Sequence, residues 1–183
     1  MLTSPQQLPK IPAAVALQWI QAKHPVQGYH IVGQLSLLGY LYFDYPVEIE
    51  NCWVDELVGS TMHYTHAVRL VNSHFTRCEF EFAYFTHGLS IEGCTFDSYL
   101  DFQAGGHNQP GCLVQLTDNI FKSFVNFFDC WYRSTVQIER NDFQKGTNLL
   151  GAPQGYLVQF DVPPLIQNNT GDLNRNDEGD IPS

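Results

Sequence analysis

Apolar and polar residues alternate in five short segments that recur along the chain. Each segment starts with an apolar–polar–apolar triplet, continues with small or polar residues and ends on a large apolar residue. The segments span residues 47–53, 68–75, 89–96, 114–121 and 136–143, and their starts lie 21, 21, 25 and 22 positions apart. Period-two alternation predicts short strands with one apolar face, and the turn-forming residues predict a corner after each strand. Asn119 and Asn141 occupy equivalent turn positions and are expected to stack as a structural feature.

The irregular step of 25 residues contains residues 104–111, which are rich in glycine and read as a loop insertion. A weaker sixth copy of the segment covers residues 164–169. Self-similarity at a fixed period is typical of repeat architectures. The chain is therefore expected to consist of about six copies of one structural unit.

Large apolar residues recur every five or six positions within a repeat, as in Leu70, Phe75, Phe80, Phe85 and Ile91. This spacing suits neither an α-helix nor one long strand, but it suits four short strands joined by corners. A lone coil cannot bury its inward residues, so coils must stack at about 4.8 Å. The pattern predicts an all-β, parallel β-solenoid of about six coils around a phenylalanine spine.

Several units resemble the pentapeptide-repeat family, in which a small residue stands two positions before a central Leu or Phe. These units are Ser73-His74-Phe75, Cys78-Glu79-Phe80, Ala83-Tyr84-Phe85 and Cys94-Thr95-Phe96. The resemblance covers residues 30–150 and implies a right-handed, four-sided β-helix. The family's Asp or Asn before the central residue is replaced here by His, Glu, Tyr or Thr. A less regular right-handed β-helix of the pectate-lyase-like kind is the alternative.

Three regions follow from these patterns: an N-terminal segment of residues 1–28, a β-helix domain of residues 29–166 and a polar tail of residues 167–183 that is expected to be mobile. Within the first region, residues 11–24 predict a helix that starts near Pro12 and stops before Pro25 and Gly28. One face of this helix carries Val15, Ala16, Trp19 and Ile20. We interpret it as a lid on the first coil, with a partner-binding helix as the alternative.

Composition restricts the partners. The chain of 183 residues is 44% hydrophobic and carries a formal charge of −10. An acidic balance disfavours nucleic acid and anionic membranes, both of which need clustered Lys and Arg. We see no apolar run long enough to span a membrane and no secretory signal. The five cysteines form no CxxC pair and are expected to be reduced, packed thiols in a cytoplasmic protein: Cys52, Cys78, Cys94, Cys112 and Cys130.

Aromatic residues outnumber the clear inward positions, so some are expected to form a surface for a ligand or partner. The candidates are Trp53, Tyr64, Tyr84, Tyr99, Trp131 and Tyr132. A groove for sugar stacking and a protein interface both fit this surplus. The alternative is that large rings wrap the corners and the inserted loop.

Three histidines suggest a metal site, because His66, His87 and His107 lie 21 and 20 residues apart and could come from successive coils. Neutral imidazoles suit Zn²⁺; the alternative is a surface ladder of histidines. Matching strand positions also carry glutamates, which could act on a sugar, although Val71 and Thr117 interrupt that series. These are Glu48, Glu50, Glu92 and Glu139. We predict no catalytic residue and no cofactor, since no local catalytic or phosphate-binding motif is present.

The leading functional prediction is a non-enzymatic scaffold or protein-binding solenoid with an acidic surface. The family resemblance adds one version, an acidic rod that mimics duplex DNA; for that version the carboxylates must form stripes. A carbohydrate-binding or carbohydrate-cleaving β-helix is the second hypothesis, and a metal site on the three histidines is the third. A homodimer through one end of the solenoid is a further prediction, because an open end exposes strand edges.

Overall fold

The chain folds as a parallel β-solenoid whose coils stack on one another. The computed structural model describes residues 7–179. Strands of successive coils pair in parallel and form one sheet of seven strands, one of nine and two of two. This pairing satisfies backbone groups that a single coil would leave unpaired. The seven strands of the first sheet mark about six coils, so the predicted fold class is confirmed.

The elements are short, as corners every few residues require. In chain order they are β1 Lys10–Pro12, α1 Ala13–Gln21, β2 Val26–Gln27, β3 His30–Ser36, β4 Tyr42–Phe43, β5 Val47–Glu50, β6 Trp53–Val58, β7 His63–Tyr64, β8 Val68–Val71, β9 His74–Glu79, β10 Leu89–Glu92, β11 Thr95–Phe96, β12 Leu100–Asp101, β13 Val114–Thr117, β14 Ile120–Phe121, β15 Val125–Asn126, β16 Trp131–Tyr132, β17 Val136–Glu139, β18 Asp142–Phe143, a 3-10 turn at Pro153–Gly155, β19 Gln159–Phe160 and β20 Leu165–Gln167.

Each coil has four sides, numbered here in chain order. Side 1 is the sheet β2-β5-β8-β10-β13-β17-β20, and side 2 is the sheet β1-β3-β6-β9-β11-β14-β18. Side 3 consists of β12 and β15 together with the later halves of β6 and β9. Side 4 contains β4-β7 and β16-β19, and single bridges connect them through the coils between.

The register of side 1 agrees with the sequence repeat residue by residue. Val47, Val68, Leu89, Val114 and Val136 lie opposite one another on consecutive coils. The weak sixth copy also aligns, because Leu165 pairs with Gln137 and Ile166 with Ile138. The register therefore confirms the repeat boundaries, including the inserted loop.

Phenylalanine rings form continuous stacks inside the tube. On side 2 the ring centroids of Phe75, Phe96, Phe121 and Phe143 are 5.0, 5.2 and 4.9 Å apart, with planes within 17° of parallel. On side 3 Phe80, Phe102 and Phe127 follow at 5.9 and 5.2 Å. All seven rings are buried. The predicted central spine is confirmed, and apolar burial along it is the main stabilising contribution.

The corner between sides 1 and 2 repeats a second structural device. A residue in the left-handed region opens it on each coil: Asn51, Asn72, Gly93, Asp118, Arg140 and Asn168. The next residue points inward, and from Ser73 onward its side chain accepts a hydrogen bond from the N–H of its counterpart on the preceding coil. We call these inward residues the corner column: Cys52, Ser73, Cys94, Asn119, Asn141 and Asn169. The expected structural stacking of Asn119 and Asn141 is confirmed.

The helix α1 closes the first coil, as the lid interpretation predicted. Ala13, Ala16 and Ile20 are its buried residues, and they recur at helical spacing along one face. Of the expected apolar face, Val15 and Trp19 are only half-buried, and Trp19 packs its ring edge-on against Tyr29 at 5.2 Å. The solenoid also begins earlier than expected, since β1 and β2 already pair with strands of the first coils.

Residues 167–175, the first part of the predicted polar tail, continue the solenoid in the structure. Their backbone bonds to the preceding coil: Thr147 N donates to Asp172 O at 2.8 Å and Leu150 N to Leu173 O at 2.9 Å. Polar composition does not prevent this pairing, because it joins backbone groups rather than apolar side chains, and the mobility of the tail stays a prediction. The last residues of the predicted tail, 180–183, lie outside the described residues. No helix among residues 7–179 is long and apolar enough to cross a membrane.

Candidate functional site

Five rings from five consecutive coils form an unbroken column on the outer surface of side 4. We call this column the aromatic stripe; it consists of Tyr42, His63, Tyr84, His107 and Trp131. Successive ring centroids lie 5.3, 4.5, 4.0 and 5.5 Å apart. Tyr42 is 59% exposed, and the other four rings are half-buried. The stripe extends along most of the rod.

The pairing of successive coils places the rings of the stripe above one another, except that on one coil the ring comes from the residue after the paired one. Tyr42 pairs with His63, and bridges continue from His63 to Tyr84, Gly106 and Trp131. Gly106 must be small, because a Cβ there would lie 2.6 Å from the carbonyl oxygen of Trp131. The ring that fills the column comes instead from His107, whose φ is 58°.

Neighbouring charges and hydrogen bonds fix one end of the stripe. The guanidinium of Arg133 lies over the ring of Trp131, with Cζ 4.3 Å from the ring centroid, an attractive cation–π geometry. Trp131 Nε1 donates to Asp161 Oδ1 at 2.8 Å. Burial, the nearby Arg133 and His63 together lower the pKa of His107. His107 is therefore a neutral imidazole at pH 7.

The stripe presents ring edges rather than ring faces. Each of His63, Tyr84 and His107 has a neighbouring ring above and below it along the column. Their outward groups are the hydroxyl of Tyr84 and imidazole nitrogens, and within residues 7–179 these groups make no hydrogen bond. Such a surface offers apolar contact area together with regularly spaced hydrogen-bonding groups.

Charged groups are sparse on side 4. Its described segments contain one cation, Arg133, and two carboxylates, Asp44 and Asp161; the segments are residues 40–46, 63–67, 84–88, 105–112, 131–135 and 156–162. Depletion of charge combined with aromatic enrichment is typical of the centre of protein interfaces.

Three of the six predicted surface aromatics lie on the outer surface, and two lie in the core. Tyr84 and Trp131 lie in the stripe, and Trp53 lies half-buried on side 2, stacked on His74 with ring centroids 3.6 Å apart. Tyr64 and Tyr132 are instead core residues, with exposed fractions of 0% and 3%. Alternation explains the difference, because each directly follows a stripe residue, His63 or Trp131, and so points inward.

A buried tyrosine needs a partner for its hydroxyl, and Tyr64 has one. Its O–H donates to the carbonyl oxygen of Gly59 at 2.9 Å, and its ring stacks on Phe85 at 5.3 Å. Gly59 stands where the following coils carry Phe80 and Phe102, so the hydroxyl end of Tyr64 fills that space. Tyr99, the remaining predicted surface aromatic, is covered by residues 176–179, which are described below.

The structure does not bring the three candidate metal ligands together. His66 and His87 occupy equivalent positions on adjacent coils, where Nδ1 of each approaches a neighbouring threonine hydroxyl at 3.2 and 3.1 Å. His107 also lies on side 4 but in the aromatic stripe, two residues before the position that matches His87, because Gly106 is the residue that pairs with Tyr84. Among residues 7–179, no group of three His, Cys, Asp or Glu side chains is arranged to hold a metal ion.

Within residues 7–179, neither the carboxylates nor the thiols form a second candidate site. The register places Val71 between Glu50 and Glu92 and Thr117 between Glu92 and Glu139, as the sequence indicated. All five cysteines are free, and Cys112 alone of these is not fully buried. Burial raises the pKa of Cys94 and of Cys130 to about 12. These buried thiols are therefore protonated and unreactive at neutral pH.

Sequence reasoning missed Tyr42 and His63 as residues of an aromatic surface. A usable signal was present, because Tyr42, His63 and Tyr84 are spaced by the 21-residue repeat. Searching outward positions for chemical similarity at that period would have found three of the five rings of the stripe.

No family model, curated protein or solved structure matches this chain.

Proposed function

We propose that the protein is a non-enzymatic, protein-binding β-solenoid and that the aromatic stripe is its docking surface. The observation that carries this proposal is the unbroken column of five outward rings on five coils. A rigid scaffold holds these rings in place, so a partner gains contact area at little entropic cost to the solenoid. Tyr and Trp in such positions are the residues most often responsible for binding energy at protein interfaces.

Side 4 favours a polypeptide over the other ligand classes. Sugar stacking needs a flat, open aromatic face, whereas four of the five rings are half-buried and neighbouring rings are tilted by 38–77° against one another. Phosphate binding needs several cations, and side 4 contributes only Arg133 among its described residues. Backbone and side-chain groups of a protein partner match the alternating ring edges and hydrogen-bonding groups.

Duplex-DNA mimicry receives no support from the arrangement of charges. Cations interrupt the carboxylates on other sides of the rod: Arg69 pairs with Glu50 at 3.3 Å, Lys122 with Asp97 at 2.8 Å, and Arg140 with Asp118 at 2.8 Å. Mimicry requires continuous stripes of negative charge, and these ion pairs neutralise carboxylates locally. The proposal therefore rests on aromatic contact rather than on net charge.

Substitution of the stripe is expected to abolish partner binding without unfolding the protein. A photo-cross-linker at Tyr42 identifies the partner in extracts of the source cells, and titration calorimetry then measures the purified pair. We expect Tyr84→Ala combined with His107→Asn to weaken binding by about 30-fold or more, the range of interface hot spots. Asparagine is chosen because it tolerates the left-handed backbone at position 107.

Ile120→Ala is the matched control, since Ile120 is 40% exposed on side 2; it should bind like the wild type. Equal affinity of the stripe variant and the wild type would refute the proposal. A glycan array tests the alternative, and binding to a glycan that the stripe variant loses would favour a carbohydrate ligand.

A homodimer through the last coil is a second proposal, carried by a different observation. Five exposed apolar residues cluster there: Leu150, Tyr156, Leu157, Val162 and Leu165. Within residues 7–179, β19 and β20 each pair along one edge only. Because α1 closes the opposite end of the rod, the matching open end on a second copy is its own last coil, which gives a two-fold interface.

Light scattering on the chromatographed protein tests this dimer. We expect the wild type to elute as a dimer and Leu157→Asp combined with Val162→Asp to elute as a folded monomer. Leu38→Asp provides the control, because Leu38 is 51% exposed near the first coil. A wild type that stays monomeric throughout the micromolar range would exclude the interface.

A further inference from the structure

Residues 176–179 leave the last coil and run back along side 3, across the coils that precede it. We call this segment the strap. Its carbonyl oxygens accept hydrogen bonds from side chains of two earlier coils: Asp177 O from Asn148 Nδ2 at 3.2 Å, and Glu178 O from the hydroxyl of Tyr99 at 2.9 Å. Among the described residues no backbone–backbone hydrogen bond involves the strap, and the last such bond before it joins Arg175 N to Thr147 O.

The strap covers an aromatic pair on the outer surface of side 3. Tyr99 and Phe124 stack with centroids 6.1 Å apart, and only 9% and 4% of their surfaces are exposed. Gly179 fits closely on this pair, because a Cβ there would lie 2.5 Å from the ring of Phe124. Without the strap, these two outward rings would face solvent.

A hydrogen-bonded ladder lies beside the aromatic pair and ends on a carboxyl group. Asn148 Nδ2 donates to Asn126 Oδ1 at 2.6 Å, and Asn126 Nδ2 donates to Asp101 Oδ1 at 3.0 Å. Both asparagines are buried. On the coil that precedes Asp101 the equivalent position is Glu79, so this row of positions runs from two amides to two acids.

Asp101 has acidic neighbours on the β9 side and on the strap, whereas its partner on β15 is Asn126. Glu79 lies opposite it on β9 and is 3.5 Å from Arg77; Glu81 follows on the same coil as Glu79, and Glu178 comes from the strap. Burial raises the pKa of Asp101 to about 6, with the charges of Glu81 and Glu178 adding to the shift, while the Gln103 N–H and the Asn126 amide oppose it. The strap's other charged residue, Asp177, is paired with Arg175 at 2.9 Å.

We propose that the strap is a pH-dependent cover for the Tyr99–Phe124 surface, closed while Asp101 is protonated and released as Asp101 ionises. Closing the strap brings the charge of Glu178 to act on Asp101, so an ionised Asp101 opposes closure. A neutral Asp101 removes that repulsion. The side-chain hydrogen bonds from Tyr99 and Asn148 then hold the strap in place.

Linkage gives the sign. With the strap closed, the charge of Glu178 is one of the causes that raise the pKa of Asp101 to about 6, and release of the strap takes this charge away. The closed state therefore binds the proton more tightly than the released state, so closure is favoured below pH 6 and is lost as the pH rises through 6. Each pKa unit that separates the closed and released states changes the closing equilibrium tenfold.

Hydroxyl-radical labelling read by mass spectrometry tests the cover, because closure of the strap changes the exposure of two rings. After correction for the labelling of free tyrosine and phenylalanine at each pH, we expect protection of Tyr99 and Phe124 in the wild type to be about tenfold greater at pH 5 than at pH 8. Asp101→Asn should remove the pH dependence, because its amide continues the ladder without a titrating group. Asp142→Asn, on side 2 away from the strap, should retain the wild-type dependence.

Glu178→Gln serves as a second variant that leaves the ladder intact. It removes one of the two charges acting on Asp101, so the pH at which protection is lost should move lower. Protection that does not change with pH in the wild type would overturn the proposal. The same pH dependence persisting in Asp101→Asn would also overturn it.

Discussion

Replacing Phe96 with alanine is expected to lower the free energy of unfolding by about 3–5 kcal/mol, the usual range for a buried Phe→Ala change. Phe96 is 1% exposed and stacks on Phe75 at 5.0 Å and on Phe121 at 5.2 Å. Its removal leaves a cavity in the middle of the spine and ends two stacking contacts, each worth about 1 kcal/mol. The neighbouring rings cannot close the gap, because the paired backbones hold the coils apart.

Urea unfolding followed by circular dichroism measures this effect. Ile120→Ala is the surface control: Ile120 lies on an adjacent coil of side 2, is 40% exposed and should change the free energy of unfolding by no more than about 0.5 kcal/mol. Phe96→Leu should fall between the two because it refills most of the cavity. A Phe96→Ala protein as stable as the control would show that the spine does not hold the coils together.

Replacing Asn141 with alanine is the second large effect, with an expected loss of about 3–4 kcal/mol from several buried groups left unpaired. Its amide oxygen accepts from Asn119 N at 3.1 Å and Asn119 Nδ2 at 2.9 Å, and its Nδ2 donates to Leu116 O at 2.8 Å and Asn169 Oδ1 at 2.9 Å. The residue is 2% exposed, so water cannot replace these bonds.

The same denaturation experiment compares Asn141→Ala with Gln144→Ala, an exposed amide of the same coil whose loss should be nearly neutral. Asn141→Asp adds a diagnostic. Its carboxylate would face two acceptors, Leu116 O and Asn169 Oδ1, so the variant should be destabilised more at pH 7 than at pH 4, where the acid is protonated. Equal stability of Asn141→Ala and Gln144→Ala would mean that the corner column is dispensable.

The two substitutions test the two repeating devices of the coil, and both devices were legible in the sequence. Phenylalanines at five- and six-residue spacing predicted the spine, and Asn119 and Asn141 predicted the stacked corner. The repeat makes such inference reliable, since each residue has counterparts above and below that must satisfy the same local geometry. The left-handed residue directly precedes the corner column on each of these coils, so Arg140 takes this conformation on the coil where Asn141 points inward.

Outward residues were predicted less well. Tyr64 and Tyr132 looked like surface aromatics because tyrosine is polar enough for either side of a strand. Gly59 leaves the space that the hydroxyl end of an inward Tyr64 fills. This contact joins side 3 to side 4, so neither sequence segment shows it alone. His107 was misplaced for a related reason. It lies within the inserted loop, and counting residues cannot say where along the coil the extra residues are inserted.

Local periodicity was sufficient to establish a solenoid, its register and most of its core, because backbone pairing between coils imposes one rule on every repeat. The aromatic stripe and the strap depended on contacts between coils and sides: the close approach of Gly106 to the backbone of Trp131 and the packing of Gly179 on the ring of Phe124. Such contacts obey no repeat, since they arise where an insertion or a returning segment meets an outer surface. The surfaces proposed to bind a partner therefore became visible once the coils were stacked in three dimensions.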